Sequence, residues 1–185
     1  MKNYSITLPS YSIGDNVYSK IGEICEPYGK KVICIGGKTA ISKVRDLIIN
    51  ECNGTSLEIL DFLWYGGDAT YENVNTLKEN ELVKKADIIF GIGGGKALDT
   101  AKALAYITNK DIFTFPTIAS NCAGTTAVSI MYNADGSFKP YADIHAKLKY
   151  LYREKCFSDY IEQAAKKQAV RQNTEKLKKL AAEIG

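Results

Sequence analysis

The sequence has few of the residues that build metal sites and disulfide frameworks. Its 185 residues include one histidine, His145, and five cysteines that are scattered and form no CxxC pair. No tetrahedral zinc set can be written from Cys and His at local spacing, so we assign no metal ligand from the residues. The odd number of cysteines indicates reduced thiols rather than a disulfide framework.

Long apolar runs and a strong net charge are also missing. Met1–Ser10 has no apolar core of signal-peptide length, and no segment approaches the roughly 18 apolar residues that a membrane helix needs. We therefore expect a cytoplasmic protein with no membrane partner. The formal net charge is only +3. Nucleic acid is disfavoured as the main partner, because phosphate binding usually requires a concentrated basic face.

The composition, 45% hydrophobic and 24% charged, is that of an ordinary globular domain. Lys30–Gly37 (KKVICIGG) is a continuous apolar run that ends in two glycines, as in a strand buried on both faces. Strands are predicted also at Leu57–Phe62, Asp87–Ile92 and Asp111–Phe115, and helices at Thr39–Cys52, Tyr71–Lys85 and Lys96–Thr108. This alternation predicts an α/β fold with a parallel sheet, a Rossmann-like dinucleotide-binding domain over residues 1–145.

The pattern changes after Pro116. Val128–Tyr132 and Ser137–Tyr141 flank the segment Asn133–Gly136, whose Asp-Gly step favours a β-hairpin. From residue 146 to residue 185 we predict a helical tail. We expect this tail to pack on the first domain or to drive self-association into a homo-oligomer.

The strongest functional signal is the run Gly91–Lys102 (GIGGGKALDTAK). Its three successive glycines lie between a predicted strand and a predicted helix, where the backbone can turn sharply and approach a ligand closely. The free N–H groups and the dipole at the helix start would then suit a pyrophosphate. The run is not a GxGxxG fingerprint, and a glycine cluster that only forms a tight turn remains an alternative.

Three segments together resemble the glycerol dehydrogenase branch of the iron-containing (group III) alcohol dehydrogenases. They are GIGGGKALDTAK, FPTIAS at Phe115–Ser120, and TTAVSIMY at Thr125–Tyr132 with NADG after it. The similarity runs from near the N-terminus to about Tyr141. It implies hydride exchange between NAD or NADP and a small alcohol or polyol, assisted by a divalent metal, zinc or iron. A weaker similarity is to synthases of the dehydroquinate type, which have a related fold.

The resemblance also implies roles for individual residues. It places Gly93, Gly94, Gly95 and Lys96 at the pyrophosphate, Asp99 at the helix start or facing the cofactor, Thr117 and Ser120 around the adenosine and ribose, and Thr126, Val128 and Tyr132 at the nicotinamide.

Two positions depart from the family pattern. Gly36, Gly37 and Lys38 stand where an acidic residue commonly binds the adenosine ribose, so Gly37 and Lys38 become the cofactor contacts and NADP stays open beside NAD. Asn121-Cys122 replaces a Thr-Asp pair on the substrate side, where a thiol cannot accept hydrogen bonds from a polyol as a carboxylate does, so the substrate stays open as a small alcohol or polyol.

In this family a second, helical domain supplies the metal through an aspartate and histidines, and nothing after Tyr141 matches it. Two hypotheses follow. The chain is the cofactor domain of a dehydrogenase whose metal comes from a missing domain or a partner, or it is a non-catalytic dinucleotide-binding module or truncated product.

Overall fold

The structure, a computed structural model, describes residues 11–119, 121–126, 128–133 and 135–137, and the backbone of the strand at residues 148–153. Within these ranges, no helix combines the length and the apolar character that crossing a bilayer requires.

Strands and helices alternate along the chain, with two short 3-10 segments near its start. The strands are β1 (Tyr11–Gly14), β2 (Lys31–Gly36), β3 (Glu58–Trp64), β4 (Ile88–Gly93), β5 (Asp111–Pro116) and β6 (Leu148–Arg153). The helices are α1 (Ile21–Cys25), α2 (Lys38–Cys52), α3 (Tyr71–Lys78), α4 (Glu81–Lys85) and α5 (Gly95–Thr108), and the 3-10 segments are Val17–Lys20 and Glu26–Tyr28.

The described strands form one parallel sheet in the order β1-β6-β5-β4-β2-β3. From β2 the chain moves outward to β3 and then crosses back to β4 on the other side of β2. The strand order therefore reverses between β2 and β4. In open α/β sheets a crevice forms at such a switch point, beyond the carboxyl ends of the strands, and ligands bind there.

Both faces of the sheet are buried, which confirms the predicted α/β fold. On β2, Val32 and Cys34 belong to the core cluster that includes Val44 of α2. Ile33 and Ile35, which alternate with them, belong to the cluster that includes residues of α3, α4 and α5. This alternation is what period-two strand geometry dictates, and it explains why β2 reads as an unbroken apolar run.

The predicted helix Tyr71–Lys85 is wrong in one respect, since it is two helices. Asn80 lies between α3 and α4, and its Oδ1 accepts hydrogen bonds from the backbone N–H groups of Leu82, at 2.8 Å, and Val83. An asparagine that caps a new helix start competes with continuation of the preceding helix.

The predicted helix from Ala146 is also corrected, because Leu148–Arg153 is strand β6, between β1 and β5. Its sequence LKYLYR is rich in aromatic and apolar residues, which suit a strand when a sheet offers partners on both sides. Residues 154–185, the remainder of the predicted helical tail, lie outside the described residues.

Within the described residues, the predicted hairpin is represented by its turn. The N–H of Asn133 donates to the carbonyl of Ser137 at 2.9 Å, and that of Gly136 donates to the carbonyl of Asn133 at 2.9 Å. Tyr132, expected in the first hairpin strand, instead makes an isolated parallel bridge with Thr70. Residues 138–141 of the second strand lie outside the described residues.

Candidate functional site

The glycine turn between β4 and α5 presents backbone N–H groups at the start of a helix. Gly94 is the N-cap of α5, no side chain caps the helix, and the first turn contains no acidic residue. The N–H of Leu98 makes the first helical bond, to the carbonyl of Gly94 at 3.0 Å. The N–H groups before it have no partner within the helix, and the helix dipole adds partial positive charge there. The turn is therefore suited to an anion.

The loop after β5 packs directly over these glycines. A Cβ atom on Gly94 would lie 2.7 Å from Cδ1 of Ile118, and one on Gly95 would lie 2.5 Å from Nδ2 of Asn121. Gly93 has a φ of 138°, a conformation that side chains other than glycine rarely adopt. Three successive glycines thus permit a turn and a close approach that larger residues would obstruct.

A second uncapped helix begins beside the first. Gly37 is the N-cap of α2, without a side-chain cap or an acidic residue in the first turn. Its N–H donates to the carbonyl of Ile92, on β4, at 3.3 Å. The starts of α2 and α5 therefore meet at the switch point between β2 and β4.

A cleft of about 470 Å³ opens between these two helix starts. Among the described residues, its lining contains two lysines and no carboxylate: Gly37, Lys38, Thr39, Ala40, Lys43, Trp64, Tyr65, Gly93, Gly94, Ala97, Thr117 and Ile118. The Nζ atom of Lys38 lies 4.6 Å from the centre of the Trp64 ring, and 49% of Trp64 is exposed. The cleft therefore combines positive charge with an accessible aromatic ring.

A smaller cavity of about 300 Å³ lies on the other side of α5. Ala97 lines the first cleft and Asp99 lines this cavity, and two residues apart on a helix means roughly 200° around its axis. The remaining wall comes from the segment after β5, which supplies Asn121, Cys122, Ala123, Thr126, Val128 and Ile130.

Asp99, in the wall of this cavity, belongs to a buried ion pair. The Nζ atom of Lys102 lies 2.9 Å from Oδ1 of Asp99, and the side chains are 0% and 9% exposed. Burial raises the pKa of Asp99, against the opposing effect of the Lys102 ammonium. Burial likewise lowers the pKa of Lys102, against the opposing effect of the carboxylate. Each charge thus compensates the other in a position where a single charge would be costly.

Lys96, predicted at the pyrophosphate, contacts a carboxylate that the sequence did not single out. Its Nζ atom lies 2.9 Å from Oδ1 of Asp68, in the loop after β3, and 5.8 Å from the centre of the Tyr132 ring. The hydrogen bond with Asp68 raises the pKa of Lys96 and lowers the pKa of the carboxyl group. The signal available in the sequence was an aspartate directly after a glycine pair at the end of a predicted strand.

The structure gathers most of the predicted site residues around the two cavities. Gly37, Lys38, Gly93, Gly94 and Thr117 line the larger one, whereas Asp99, Asn121, Cys122, Thr126 and Val128 line the smaller one. Gly95 lines neither cavity but faces Asn121. Ser120 lies outside the described residues.

Metal ligands are not grouped in the described part of the chain. Within it, no three His, Cys, Asp or Glu side chains lie together in a way that could hold a metal ion. The described residues therefore do not themselves fit a metal centre, and His145 lies outside them.

Known proteins are similar to this chain in sequence and in fold. Residues 9–149 match the family of iron-containing alcohol dehydrogenases. A glycerol dehydrogenase of Escherichia coli is 30% identical over 131 residues, which are 71% of this chain and 35% of that protein. A glycerol dehydrogenase of Thermotoga maritima is 43% identical over 77 residues, 42% of this chain and 21% of that protein. The crystal structure of glycerol dehydrogenase from Schizosaccharomyces pombe superimposes with a TM-score of 0.72 at 22% identity, covering 85% of this chain and 40% of that one. The chain thus spans less than half the length of these relatives.

Proposed function

This chain belongs to the iron-containing alcohol dehydrogenase family, and from that premise we propose that it binds a nicotinamide dinucleotide at the switch point between β2 and β4. The observation that carries the proposal is the uncapped start of α5 behind three glycines, where a Cβ on Gly94 or Gly95 would collide with the loop after β5. A pyrophosphate is the anion that such a turn suits.

The two cavities support an extended pose for the dinucleotide. With the pyrophosphate at Gly93–Lys96, the adenosine half lies in the larger cleft, beside Trp64 and Lys38. The nicotinamide half lies in the smaller cavity, between Asp99 and Val128. Their volumes, about 470 and about 300 Å³, lie in the range of small-molecule sites, and their positions on the two sides of α5 support two halves of a single ligand.

NADP is proposed to bind at least as tightly as NAD. The part of the larger cleft's lining that the structure describes includes Lys38 and Lys43 and contains no carboxylate. A 2′-phosphate would therefore meet two ammonium groups and the start of α2, with no acidic side chain to repel it. Comparison of the two dissociation constants tests this, and a strong preference for NAD would contradict it.

The proposed reaction class is hydride exchange between the dinucleotide and a small alcohol or polyol. The contribution proposed for the described residues is to bind and orient the cofactor, because they contain no group of metal ligands. Asn121 and Cys122 place an amide group and a thiol on the proposed substrate side. These groups support an uncharged substrate rather than an acid.

A second candidate function is binding without turnover, and it is the absence of grouped metal ligands from the described residues that favours it. The two functions are separated by incubating the whole chain with NADP, 1,2-propanediol and either zinc or iron, while absorbance at the nicotinamide band is followed. Metal-dependent reduction supports the dehydrogenase, and cofactor binding without reduction shows that this chain by itself acts as a binding module.

We also propose that the protein forms a homo-oligomer and is located in the cytoplasm. The edge strand β1 exposes 63% of Tyr11 and 58% of Ile13, an apolar margin that a second copy could cover. Cys34 and Cys52 are buried free thiols, as suits a reducing compartment. Light scattering on the whole chain tests self-association, and a monomer at all concentrations would contradict it.

A further inference from the structure

Lys102 occupies an unusual position for a lysine. It lies on α5 one turn after Asp99, and its side chain is fully buried. Lysine is almost never fully buried unless it is paired. The ammonium group can donate three hydrogen bonds, and three acceptors surround it: Oδ1 of Asp99 at 2.9 Å, the carbonyl of Thr126 at 3.1 Å, and the carbonyl of Val128.

These bonds fasten one segment of chain to one turn of α5. The backbone N–H of Ile130 also faces the Asp99 carboxylate and acts to lower its pKa. The Ser129 hydroxyl donates to the backbone carbonyl of Asp99 at 2.9 Å. The attached segment, described at residues 121–126 and 128–133, contains no named strand or helix. Its position therefore depends on side-chain and loop contacts rather than on a hydrogen-bonded ladder.

The same segment forms the wall of the smaller cavity through Thr126, Val128 and Ile130. A buried ion pair is weak evidence for a stabilising role, since apolar residues of similar size often serve as well. The pair does, however, fix the direction of two carbonyl groups and one carboxylate at a cavity wall. Hydride transfer requires that the ring which donates or accepts the hydride be held in one orientation.

We propose that Lys102 is a positioning residue for the nicotinamide half of the cofactor, acting through the carbonyl groups of Thr126 and Val128 and the carboxylate of Asp99. The inference rests on the proposed function. It assigns to Lys102 no contact with the ring. The adenosine and pyrophosphate subsites do not include Lys102 or its partners, so their affinity should be independent of it.

The test compares NADH with ADP-ribose, which lacks the nicotinamide ring. Both are titrated into the whole chain as wild type, as Lys102→Met, and as Asp99→Asn/Lys102→Met, which removes both charges and leaves no unpaired ion. Lys110→Met is the matched control, because Nζ of Lys110 likewise donates to backbone carbonyls, those of Lys84 and Ala86, beyond the opposite end of α5.

The expected result is that wild type binds NADH more tightly than ADP-ribose, and that this advantage falls about tenfold in both Lys102 variants. ADP-ribose affinity stays within about twofold of wild type, and the emission of bound NADH shifts toward that of free NADH. Lys110→Met leaves both affinities unchanged.

Two results with the variants would overturn the inference alone. One is an unchanged ratio of NADH to ADP-ribose affinity in the folded variants, and the other is an equal loss of affinity for both ligands. Wild type that binds ADP-ribose and NADH equally would likewise refute it while leaving dinucleotide binding intact. Wild type that binds neither ligand would overturn the proposed function, and the inference with it.

Discussion

Nζ of Lys96 lies 2.9 Å from Oδ1 of Asp68, so the first-turn lysine of α5 has a carboxylate as its counter-ion at the edge of the glycine turn. Both side chains are about half exposed, 56% for the lysine and 45% for the aspartate. An exposed pair of this kind contributes little to stability. Its larger effect is electrostatic, because Asp68 reduces the positive potential at the place proposed for the pyrophosphate.

Asp68→Asn is therefore expected to tighten binding of NAD and NADP by about two- to fivefold at low salt, because it removes one nearby negative charge. The gain should shrink as ionic strength rises. Glu23→Gln is the matched control, since it breaks the exposed Lys20–Glu23 pair at 2.8 Å, away from the site. Titration at two salt concentrations measures the effect. Weaker binding would mean that Asp68 orients Lys96 instead of competing for it.

Gly94→Ala is expected to weaken dinucleotide binding at least about tenfold, because the new methyl group displaces Ile118 or obstructs the pyrophosphate. Gly22→Ala provides a close control. A Cβ on Gly22 would lie 2.7 Å from Cγ2 of Thr55, as a Cβ on Gly94 would from Cδ1 of Ile118. The midpoint temperature of thermal unfolding should fall to a similar extent in both variants. Equal binding by the two would contradict the proposed role of the turn.

Lys38→Met is expected to lower the affinity for NADP by about three- to tenfold and to leave the affinity for NAD unchanged, because only NADP carries a 2′-phosphate to pair with the ammonium group. Lys31→Met, at the opposite end of β2, should alter neither. Parallel titrations of both cofactors provide the measurement. A loss of NAD affinity as large as that of NADP would assign Lys38 a general role at the cleft.

Asp87 makes stability dependent on acid. Its Oδ2 accepts hydrogen bonds from the N–H groups of Lys30, at 2.9 Å, and Lys31, at 2.8 Å, and these bonds hold its pKa below the ordinary value of 3.8. A carboxyl group whose pKa is lower in the folded state stabilises that state above its ordinary pKa and loses this effect as pH falls through the folded value.

Asp87→Asn should thus lower the free energy of unfolding at pH 7 by about 0.5–1 kcal/mol, a modest figure because the carboxylate is exposed. The difference from wild type should decline as pH falls below 3.8 and vanish once pH is below the folded value. Urea unfolding at a series of pH values measures both. Asp46→Asn, at an exposed position of α2, controls for a general effect of charge. A difference that is constant with pH would refute the linkage.

The sequence predicted the parts of the fold that depend on local pattern. KKVICIGG and DIIFGI are apolar on both faces, and the strands β2 and β4 confirm that interpretation. The resemblance to iron-containing alcohol dehydrogenases is likewise confirmed. Strand β6 was missed, because LKYLYR becomes a strand only when β5 and β1 flank it, and no local period reports that pairing.

The site was predictable where backbone geometry dictates the residue type, as at Gly93–Gly95. It was not predictable where tertiary contacts determine which side chains are buried and which ones pair. Asp99 and Lys102 are three residues apart, a spacing typical of exposed helical ion pairs, and only the fold reveals that both are buried. Asp68 and Lys96 lie far apart in sequence, and the loop from β3 to α3 brings them together.

The most direct test of dinucleotide binding at the switch point is calorimetric titration of the whole chain with NAD and NADP, each oxidised and reduced, with and without zinc. The account predicts saturable binding with one site per chain, independent of zinc, retained in Gly22→Ala and weakened in Gly94→Ala. No heat of binding from any of the four ligands would contradict it, and the glycine turn would then be only a structural connection between β4 and α5.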